Sequence, residues 1–269
     1  MKGHDFPRLG FGTVGVTDPE TIETALEVGY RHIDTAQWYG NEDVVGTGLT
    51  RSEVPREDVL VATKVLPENL AHDDVRWTTA ESLDRLGLDT VDVLYVHWPT
   101  NAYDPEETLA AFDELYDDGK IRGVGLSNFT PALVDEARDN LDAPVAALQV
   151  EMHPMLQQRE LVEYVQDLDT YLVAYSPLAQ GAVFDEPVLE EIAEKRGVSV
   201  ARVSLAWLLG QNGVAAIPKA SGDHIVDNYG ALSLELDDED RARMADLDRG
   251  FRTVDPEEEK KVDQTPWAE

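Results

Sequence analysis

The chain has 269 residues, of which 42% are hydrophobic, so it can bury the core of one large α/β barrel or of two smaller domains. Its 54 acidic residues against 22 basic ones give a formal net charge of −32, which argues against nucleic-acid partners and against anionic membranes. Cysteine is absent, which excludes disulfides, thiolate nucleophiles and cysteine-bound metal.

The N-terminus and the distribution of charge indicate where the protein is located and what kind of surface it has. The stretch MKGHDFPRLG has no apolar core of a signal peptide, and no apolar run approaches the ~18 residues of a membrane span, so we expect a cytoplasmic protein. The acids are spread along the chain, which indicates a solvated acidic surface similar to that of proteins from a high-salt cytoplasm. The calcium-loop pattern D-x-[DN]-x-[DN]-G is absent, which disfavours a cation-binding acidic domain.

In chain order, strand-like and helix-like segments alternate. PRLGFGTVGV predicts a strand and a Gly-rich turn, and residues 18–28 predict a helix capped by Asp18. Further strands are predicted at residues 30–33 and in the runs VLVATKVL, VDVLYVHWP, IRGVGLSNF, AALQVEMHP, TYLVAYSPL and VAAIPKA. Helices are predicted at residues 42–50, 73–86, 105–117, 131–140, 157–166, 186–196, 200–210, 223–232 and 237–247.

About eight apolar strands, each followed by a helix, predict a parallel sheet buried on both faces. A sheet of this kind and this chain length favour a closed (β/α)8 TIM barrel, an α/β fold. We expect one domain over residues 1–269, with a charged C-terminal tail from about residue 250. A doubly wound open sheet is the alternative, disfavoured because no G-x-G-x-x-G fingerprint follows the first strand.

Reactive side chains follow most of the predicted strands. In a barrel the C-terminal ends of the strands meet at one mouth, so these residues are expected to converge. They are Asp34, Lys64, His97, Ser127, Asn128, Gln149, Tyr175 and Lys219, with Tyr39 on the loop after Asp34. Any one of them alone is more often a turn former, a rim-packing residue or a core histidine. The convergence is what favours a catalytic site.

Lys64 lies inside the apolar run VLVATKVL, where an unpaired ammonium would lose several kcal/mol of solvation. We therefore expect it to be paired or to have a lowered pKa, with Asp34 as the obvious partner. A lysine close to Tyr39 would favour the phenolate and lower the pKa of the tyrosine below its usual value near 10. Tyr39 would then donate protons more readily near neutral pH, and His97 could hold a substrate oxygen beside its hydroxyl.

Together, Asp34, Tyr39, Lys64 and His97 resemble the catalytic tetrad of the aldo-keto reductase superfamily. The surrounding motifs match in order between Gly29 and Ala220: G-Y-R-H-I-D-T-A-Q-W-Y-G-N-E, A-T-K, V-H-W-P, G-L-S-N-F, Q-V-E-M-H-P, A-Y-S-P-L and I-P-K-A. The compact form, with V-P-R-E-D and T-K-V-L-P-E-N-L, is similar to the microbial 2,5-diketogluconate reductase and methylglyoxal reductase branch. The resemblance implies reduction of an aldehyde or ketone to the alcohol by hydride from NAD(P)H, with Tyr39 as the general acid.

The resemblance also implies a cofactor site, with NADP(H) preferred and NAD(H) possible. Ser127, Asn128 and Gln149 would hold the carboxamide and Tyr175 would stack on the ring. Ser176 and Leu178 would follow the pyrophosphate, Lys219 and Ser221 would lie near the adenosine phosphate, and Asp227 and Asn228 would meet adenine. An extended dinucleotide held in this way needs no G-x-G-x-x-G fingerprint. Trp38 and Trp98 are the expected pocket walls, each as readily explained as ordinary core.

The chain departs from the family pattern at three positions. His224 stands where an arginine commonly meets the 2′-phosphate, which leaves the choice between NADPH and NADH open. Val14 and Leu66 replace aromatic residues that are common in relatives. We expect a small-molecule carbonyl substrate, whose identity the sequence does not give, and a monomeric protein.

Two other classes of protein are alternatives to a carbonyl reductase. A cofactor-binding regulatory subunit with little turnover is disfavoured by the intact tetrad. A metal-dependent barrel hydrolase needs clustered histidine and acidic ligands at strand ends. His32 and Asp34 point the same way along one strand, but no further histidine pair supports a metal site, so we expect none.

Overall fold

The structure, a computed structural model, describes residues 6–168 and 170–254. Parallel strands alternate with helices throughout this part of the chain. The strands are β1 Phe11–Gly12, β2 His32–Asp34, β3 Leu60–Val65, β4 Val93–Val96, β5 Val124–Ser127, β6 Val145–Glu151, β7 Tyr171–Tyr175 and β8 Val214–Ala216. The helices are α1 Pro19–Val28, α2 Glu42–Arg51, α3 His72–Leu86, α4 Pro105–Asp117, α5 Pro131–Asp139, α6 Arg159–Gln166, α7 Pro187–Arg196, α8 Val200–Leu209, α9 Asp223–Tyr229 and α10 Asp238–Ala245.

The sheet closes on itself. Its strand order follows the chain from β1 to β8, and every neighbouring pair is parallel. The last strand then pairs with the residues before the first: Gly10 N donates to Ala216 O at 2.8 Å, and Ala216 N donates to Arg8 O at 2.8 Å. The predicted (β/α)8 barrel is therefore confirmed, and a doubly wound open sheet is excluded.

Local sequence signals explain where the helices begin. The side chain of Asp18 accepts a hydrogen bond from Glu20 N at 3.0 Å, and Asp104 accepts two from the first turn of α4. Proline occupies the first turn of α1, α4, α5 and α7, where its missing N–H costs nothing. The helix predicted over residues 223–232 ends earlier, at Tyr229, and continues as a 3-10 turn over Gly230–Ser233.

The barrel interior has its own apolar layer, separate from the larger core between strands and helices. Tyr95 fills its centre and requires a glycine on the neighbouring strand, because a Cβ at Gly125 would lie 2.2 Å from the Tyr95 ring. His32 is fully buried in this interior, with its ring 5.2 Å from that of Phe6. Burial lowers the pKa of His32 to about 4, so the ring is neutral at physiological pH. His32 is a core residue, which gives the metal-hydrolase alternative no support.

Glu42 is buried outside the barrel wall, although it lies close to Tyr39 in sequence. Its carboxylate accepts a hydrogen bond from the Thr63 hydroxyl at 2.6 Å and two from the Arg85 guanidinium at 2.9 and 2.6 Å. These bonds tie α2 to β3 and α3, so Glu42 holds the scaffold together. None of the helices within residues 6–168 and 170–254 is long and apolar enough to cross a membrane. The charged tail predicted from about residue 250 lies mostly outside the described residues.

Candidate active site

A cavity of about 540 Å³ opens at the C-terminal ends of the strands. This is the end at which barrel enzymes carry their reactive groups. Of the predicted site residues, the cavity is lined by Asp34, Trp38, Tyr39, His97, Trp98, Ser127, Asn128, Gln149, Tyr175, Ser176, Leu178 and Lys219. Lys64 lies directly beneath it, 1% exposed, whereas Ser221, His224, Asp227 and Asn228 are not among the lining residues.

Lys64 and Asp34 form a buried ion pair at the floor of the cavity. The ammonium donates to Asp34 Oδ1 and, at 2.8 Å, to the carbonyl oxygen of Thr35. The second carboxylate oxygen of Asp34 accepts a hydrogen bond from Gln149 Nε2 at 2.8 Å. The predicted pairing is thus observed, and Gln149 has a partner that the sequence did not indicate. A buried ion pair persists only when its remaining groups are hydrogen-bonded in this way.

Tyr39 sits above this pair on the 3-10 turn Gln37–Tyr39, which follows β2 and ends at Gly40 in the left-handed region, φ 63°. The Lys64 ammonium lies 5.2 Å from the centre of the Tyr39 ring. Burial raises the pKa of Tyr39, and the nearby Lys64 ammonium offsets this only in part, so the pKa stays above its usual 10.0. The prediction that Lys64 lowers the pKa of Tyr39 below that value was wrong, because burial of the phenol outweighs the cation.

Lys64 is protonated and carries a full positive charge at neutral pH. Burial alone would lower the pKa of Lys64, but the Asp34 carboxylate and Tyr39 outweigh it and raise the pKa above 10.5. The site at neutral pH therefore holds a neutral phenol, a full ammonium and its acidic partner. The His97 ring packs edge-on to the Tyr39 ring, with centroids 6.4 Å apart. A histidine and a phenol thus line one cavity next to each other, as a carbonyl-binding pair requires.

Asn128 organises the next part of the wall. It lies just after β5 in the left-handed region, φ 65°, a conformation that asparagine tolerates better than most residues. Its amide nitrogen donates to His97 O at 3.0 Å and to Ser127 Oγ at 3.1 Å. Its oxygen accepts a hydrogen bond from the Tyr175 hydroxyl at 3.0 Å, which fixes that ring at the cavity wall.

The expected cofactor residues divide into two groups. Ser176 and Leu178 follow β7 on the cavity wall, and Lys219 follows β8 with an exposed side chain. Ser221 and His224 are exposed on the adjoining loop and on α9. Asn228 is buried.

Asp227 already has protein partners. Its carboxylate accepts from the Ser199 hydroxyl at 2.5 Å and from Arg202 at 2.9 Å. Contacts of the Ser221–Asn228 group with adenosine stay a prediction.

The residues present fit a nicotinamide dinucleotide. One cavity joins the phenol of Tyr39 to amide and hydroxyl groups that match a carboxamide, to the aromatic ring of Tyr175, and to the cation of Lys219. Those are the chemical types that a carboxamide, a flat ring and a phosphate each need. The backbone of Ser176, at φ 46°, turns the chain along this wall.

Several cavity residues were not predicted from the sequence. Pro67 and Ile217 line the wall near the strands, and Gln180, Phe184 and Val254 line it from the loop after β7 and from the C-terminal segment. Loop residues of this kind carry no periodic signal, and their convergence depends on the fold. The departures Val14 and Leu66 do line the cavity, as do the expected walls Trp38, 45% exposed, and Trp98, 6% exposed.

Comparison with known proteins gives the family. The profile of the Aldo/keto reductase family matches residues 8–249. The chain is 38% identical to a glyoxal reductase of Bacillus subtilis, over 93% of this chain and 92% of that protein. It is 37% identical to the methylglyoxal reductase DkgB of Escherichia coli O157:H7, over 93% of this chain and 96% of that protein. A crystal structure of an aldo-keto reductase complexed with NADPH superposes with a TM-score of 0.86 at 33% identity, covering 94% of this chain and 88% of that one.

The chain therefore belongs to the aldo/keto reductase family. It is an oxidoreductase that reduces carbonyl compounds with a nicotinamide cofactor, as the resemblance implied. Its similarity to a methylglyoxal reductase also confirms the branch that the sequence motifs indicated. Nothing in the comparisons supports a regulatory subunit without turnover.

Proposed function

We propose that this protein reduces small aldehydes and ketones, α-dicarbonyls such as methylglyoxal among them, with NADPH as the hydride donor and Tyr39 as the proton donor. The observation that carries the proposal is the buried Lys64–Asp34 pair directly beneath Tyr39. A phenol over a fixed ammonium can release its proton to a developing alkoxide, because the cation stabilises the phenolate that remains.

Each member of the site has a separate task. The cofactor, when bound, supplies the hydride that converts the carbonyl carbon to the alcohol. His97 and Tyr39 orient the carbonyl oxygen between them, and the phenol passes its proton to that oxygen. The raised pKa of Tyr39 keeps it protonated, and so ready to donate, across the neutral range. Asp34, held by Gln149, keeps the ammonium of Lys64 in place for every cycle.

NADPH is the proposed cofactor because Lys219 places an exposed cation at the cavity. Ser127, Asn128 and Gln149 would hold the carboxamide, Tyr175 would stack on the ring, and Ser176 and Leu178 would follow the pyrophosphate. Ser221 and His224 would lie near the 2′-phosphate, and Asp227 and Asn228 near adenine. The similarity to an aldo-keto reductase complexed with NADPH supports this arrangement.

The small-dicarbonyl substrate class rests on two observations. The relatives at 38% and 37% identity are a glyoxal reductase and a methylglyoxal reductase. The cavity of about 540 Å³ must also admit the nicotinamide ring, which leaves room for a compact substrate. Trp38, Trp98, Val14 and Leu66 would form its apolar walls. We further propose that the enzyme is a cytoplasmic monomer and, from its net charge of −32, that it binds no nucleic acid.

The test is oxidation of NADPH and NADH by purified protein in high salt, followed spectrophotometrically against glyoxal, methylglyoxal, simple aldehydes and keto-sugars. We expect turnover with dicarbonyls, and a higher kcat/KM with NADPH than with NADH. Turnover confined to keto-sugars would refute the small-dicarbonyl substrate class but would still agree with a carbonyl reductase. Absence of turnover with every carbonyl, in protein that binds NADPH, would refute the catalytic proposal.

A further inference from the structure

Glu151 lies at the C-terminal end of β6, fully buried, and it is not among the cavity-lining residues. Its carboxylate binds the C-terminal segment of the described chain instead. Oε1 accepts hydrogen bonds from Thr253 N at 2.6 Å and from the Thr253 hydroxyl, and Oε2 accepts one from Val254 N at 3.4 Å. The Arg252 guanidinium lies 3.9 Å from Oε2. Bonds to an ionised acceptor are roughly twice as strong as neutral ones, so this carboxylate is a strong anchor.

His153 lies next to the same carboxylate. Its Nε2 lies 3.4 Å from Glu151 Oε1, and both side chains are fully buried. Burial alone would raise the pKa of Glu151, but the neighbouring His153 ring and the hydrogen bonds from Thr253 outweigh it and lower the pKa below 4.5. Glu151 is therefore an ionised acceptor at neutral pH.

Thr253 is also held from a second element. Its carbonyl oxygen accepts a hydrogen bond from Gln180 Nε2 at 3.1 Å. Gln180 belongs to the loop after β7, where its backbone lies in the left-handed region at φ 50°. Gln180 and Val254 both line the cavity. Thr253 thus stands between the end of β6 and this loop, with cavity-wall residues on either side of it.

Residues 249–254, here called the rim segment, also contact the barrel at their first residues, where the Arg249 guanidinium donates to Glu186 Oε2 at 2.9 Å. Arg249 N and Phe251 N both donate to Met155 O, at 3.2 and 3.1 Å. The rim segment forms no helix or strand, so its position depends on contacts of this kind. The bonds to Glu151 are the ones nearest to Val254, the rim-segment residue that reaches the cavity.

We propose that Glu151 is a positioning residue that clamps Thr253 and so fixes Val254 as a wall of the substrate-binding cavity. This role rests on the proposed function. The Glu151 carboxylate accepts its hydrogen bonds from Thr253 and Val254, next to the cavity wall. The clamp therefore acts on the cavity wall and so on how tightly the carbonyl substrate is held.

The first test is steady-state kinetics of Glu151→Gln, which keeps the volume of the side chain but turns an N–H group toward backbone donors. We expect KM for methylglyoxal to rise about 10-fold while kcat changes by less than about 3-fold, as expected when an interaction outside the reacting atoms is lost. Thr253→Val, which keeps the shape and deletes the hydroxyl, should raise KM about 3-fold. Thr253→Ser restores the hydroxyl and should return KM to the wild-type value.

Glu42→Gln is the matched control, because Glu42 is also a buried carboxylate with a hydroxyl donor and a guanidinium. It should lower stability without changing KM. A change in KM of equal size in Glu42→Gln and Glu151→Gln would overturn the clamp, since the effect would then report general destabilisation.

The second test does not depend on turnover. Hydrogen exchange of a peptide containing Thr253 and Val254 should be at least ~10-fold faster in Glu151→Gln than in wild type, and unchanged in Glu42→Gln. If wild type shows this protection but reduces no carbonyl, the proposed function fails and the clamp stands. If exchange and KM are both unchanged in Glu151→Gln and in Thr253→Val, the clamp is refuted and the reductase stands.

Discussion

Lys64 has the partner that the sequence predicted but not the predicted effect on the pKa of Tyr39. Its position in an apolar strand required a buried partner, and Asp34 is that partner. Its influence on Tyr39 could not be judged from the sequence, because it depends on how far burial of the phenol opposes the ammonium. In the structure burial prevails, so the pKa of Tyr39 is raised. The Lys64 cation therefore acts mainly once negative charge develops on the phenol oxygen.

Removing the hydroxyl of Tyr39 tests its role as proton donor. Tyr39→Phe keeps the ring, so turnover of carbonyl reduction should fall by ~100-fold or more while the Kd of NADPH stays nearly constant. Tyr116→Phe, at an exposed tyrosine on α4, is the control and should change neither value. Retention of most activity in Tyr39→Phe would overturn the assignment.

The raised pKa of Tyr39 predicts the pH dependence of the same enzyme. The donor stays protonated below its usual pKa of 10.0, so deprotonation of Tyr39 should cause no loss of reductase activity between about pH 6 and pH 9. The stability that its raised pKa contributes is present below pH 10.0 and is lost as the pH rises through the higher folded-state value. A pH–rate profile of kcat tests this, and a fall near neutral pH that is absent in Tyr39→Phe would contradict it.

Lys64→Met tests the buried ion pair. The change keeps the length of the side chain and removes the ammonium, which leaves Asp34 as an uncompensated buried acid. We expect a loss of roughly 3–5 kcal/mol in the free energy of unfolding and a fall in turnover of at least ~100-fold. Denaturant unfolding measures the free energy of unfolding, and initial rates measure the turnover. Lys120→Met, on the exposed surface, is the control. A stable and active Lys64→Met protein would make Lys64 a mere rim residue.

At the scale of the elements, regular structure was predictable and irregular structure was not. The spacing of apolar residues together with Pro105 predicted α4 at its observed limits, Pro105–Asp117. The tetrad was identifiable because its members lie at or after the C-terminal ends of strands, which meet in a barrel, and because the surrounding motifs resemble those of the family. The clamp of Glu151 on Thr253 joins residues 102 positions apart through a segment without periodicity, and no local pattern encodes that contact. The sequence marked Glu151 only as part of the motif Q-V-E-M-H-P.

The end of the barrel opposite the cavity contributes to stability and not to catalysis, and a substitution at Asp92 can test this. Asp92 precedes β4 at the end opposite the cavity, where its carboxylate accepts from Arg56 and from Val61 N at 2.8 Å each, and from Arg122 at 2.8 Å. Asp92→Asn should lower the free energy of unfolding by about 1–3 kcal/mol, discounted because both arginines are partly exposed. Thermal unfolding measures it; kcat and KM should stay unchanged. Asp238→Asn, at an exposed ion pair, is the control, and equal losses in both variants would contradict the argument.

At the scale of the whole molecule, the net charge of −32 surrounds a site that must accept an anionic dinucleotide. Lys219 is then a local positive centre within a strongly negative field. Salt screens the long-range repulsion from the acidic surface more than it screens the local contact at Lys219. The Debye length is about 30 Å at 0.01 M salt and about 3 Å at 1 M, so at high salt the long-range repulsion vanishes while the contact at Lys219 is still felt.

We therefore predict that raising KCl from ~0.1 M to ~2 M strengthens the binding of NADPH, against the usual weakening of phosphate contacts by salt. Lys219→Ala should remove most of the preference for NADPH over NADH yet keep this salt trend, whereas Lys120→Ala should keep both. Quenching of tryptophan fluorescence measures the affinity, over salt concentrations at which far-UV circular dichroism shows folded protein. A steady loss of NADPH affinity across that range would show that the contact at Lys219, and not the field of the whole molecule, controls binding.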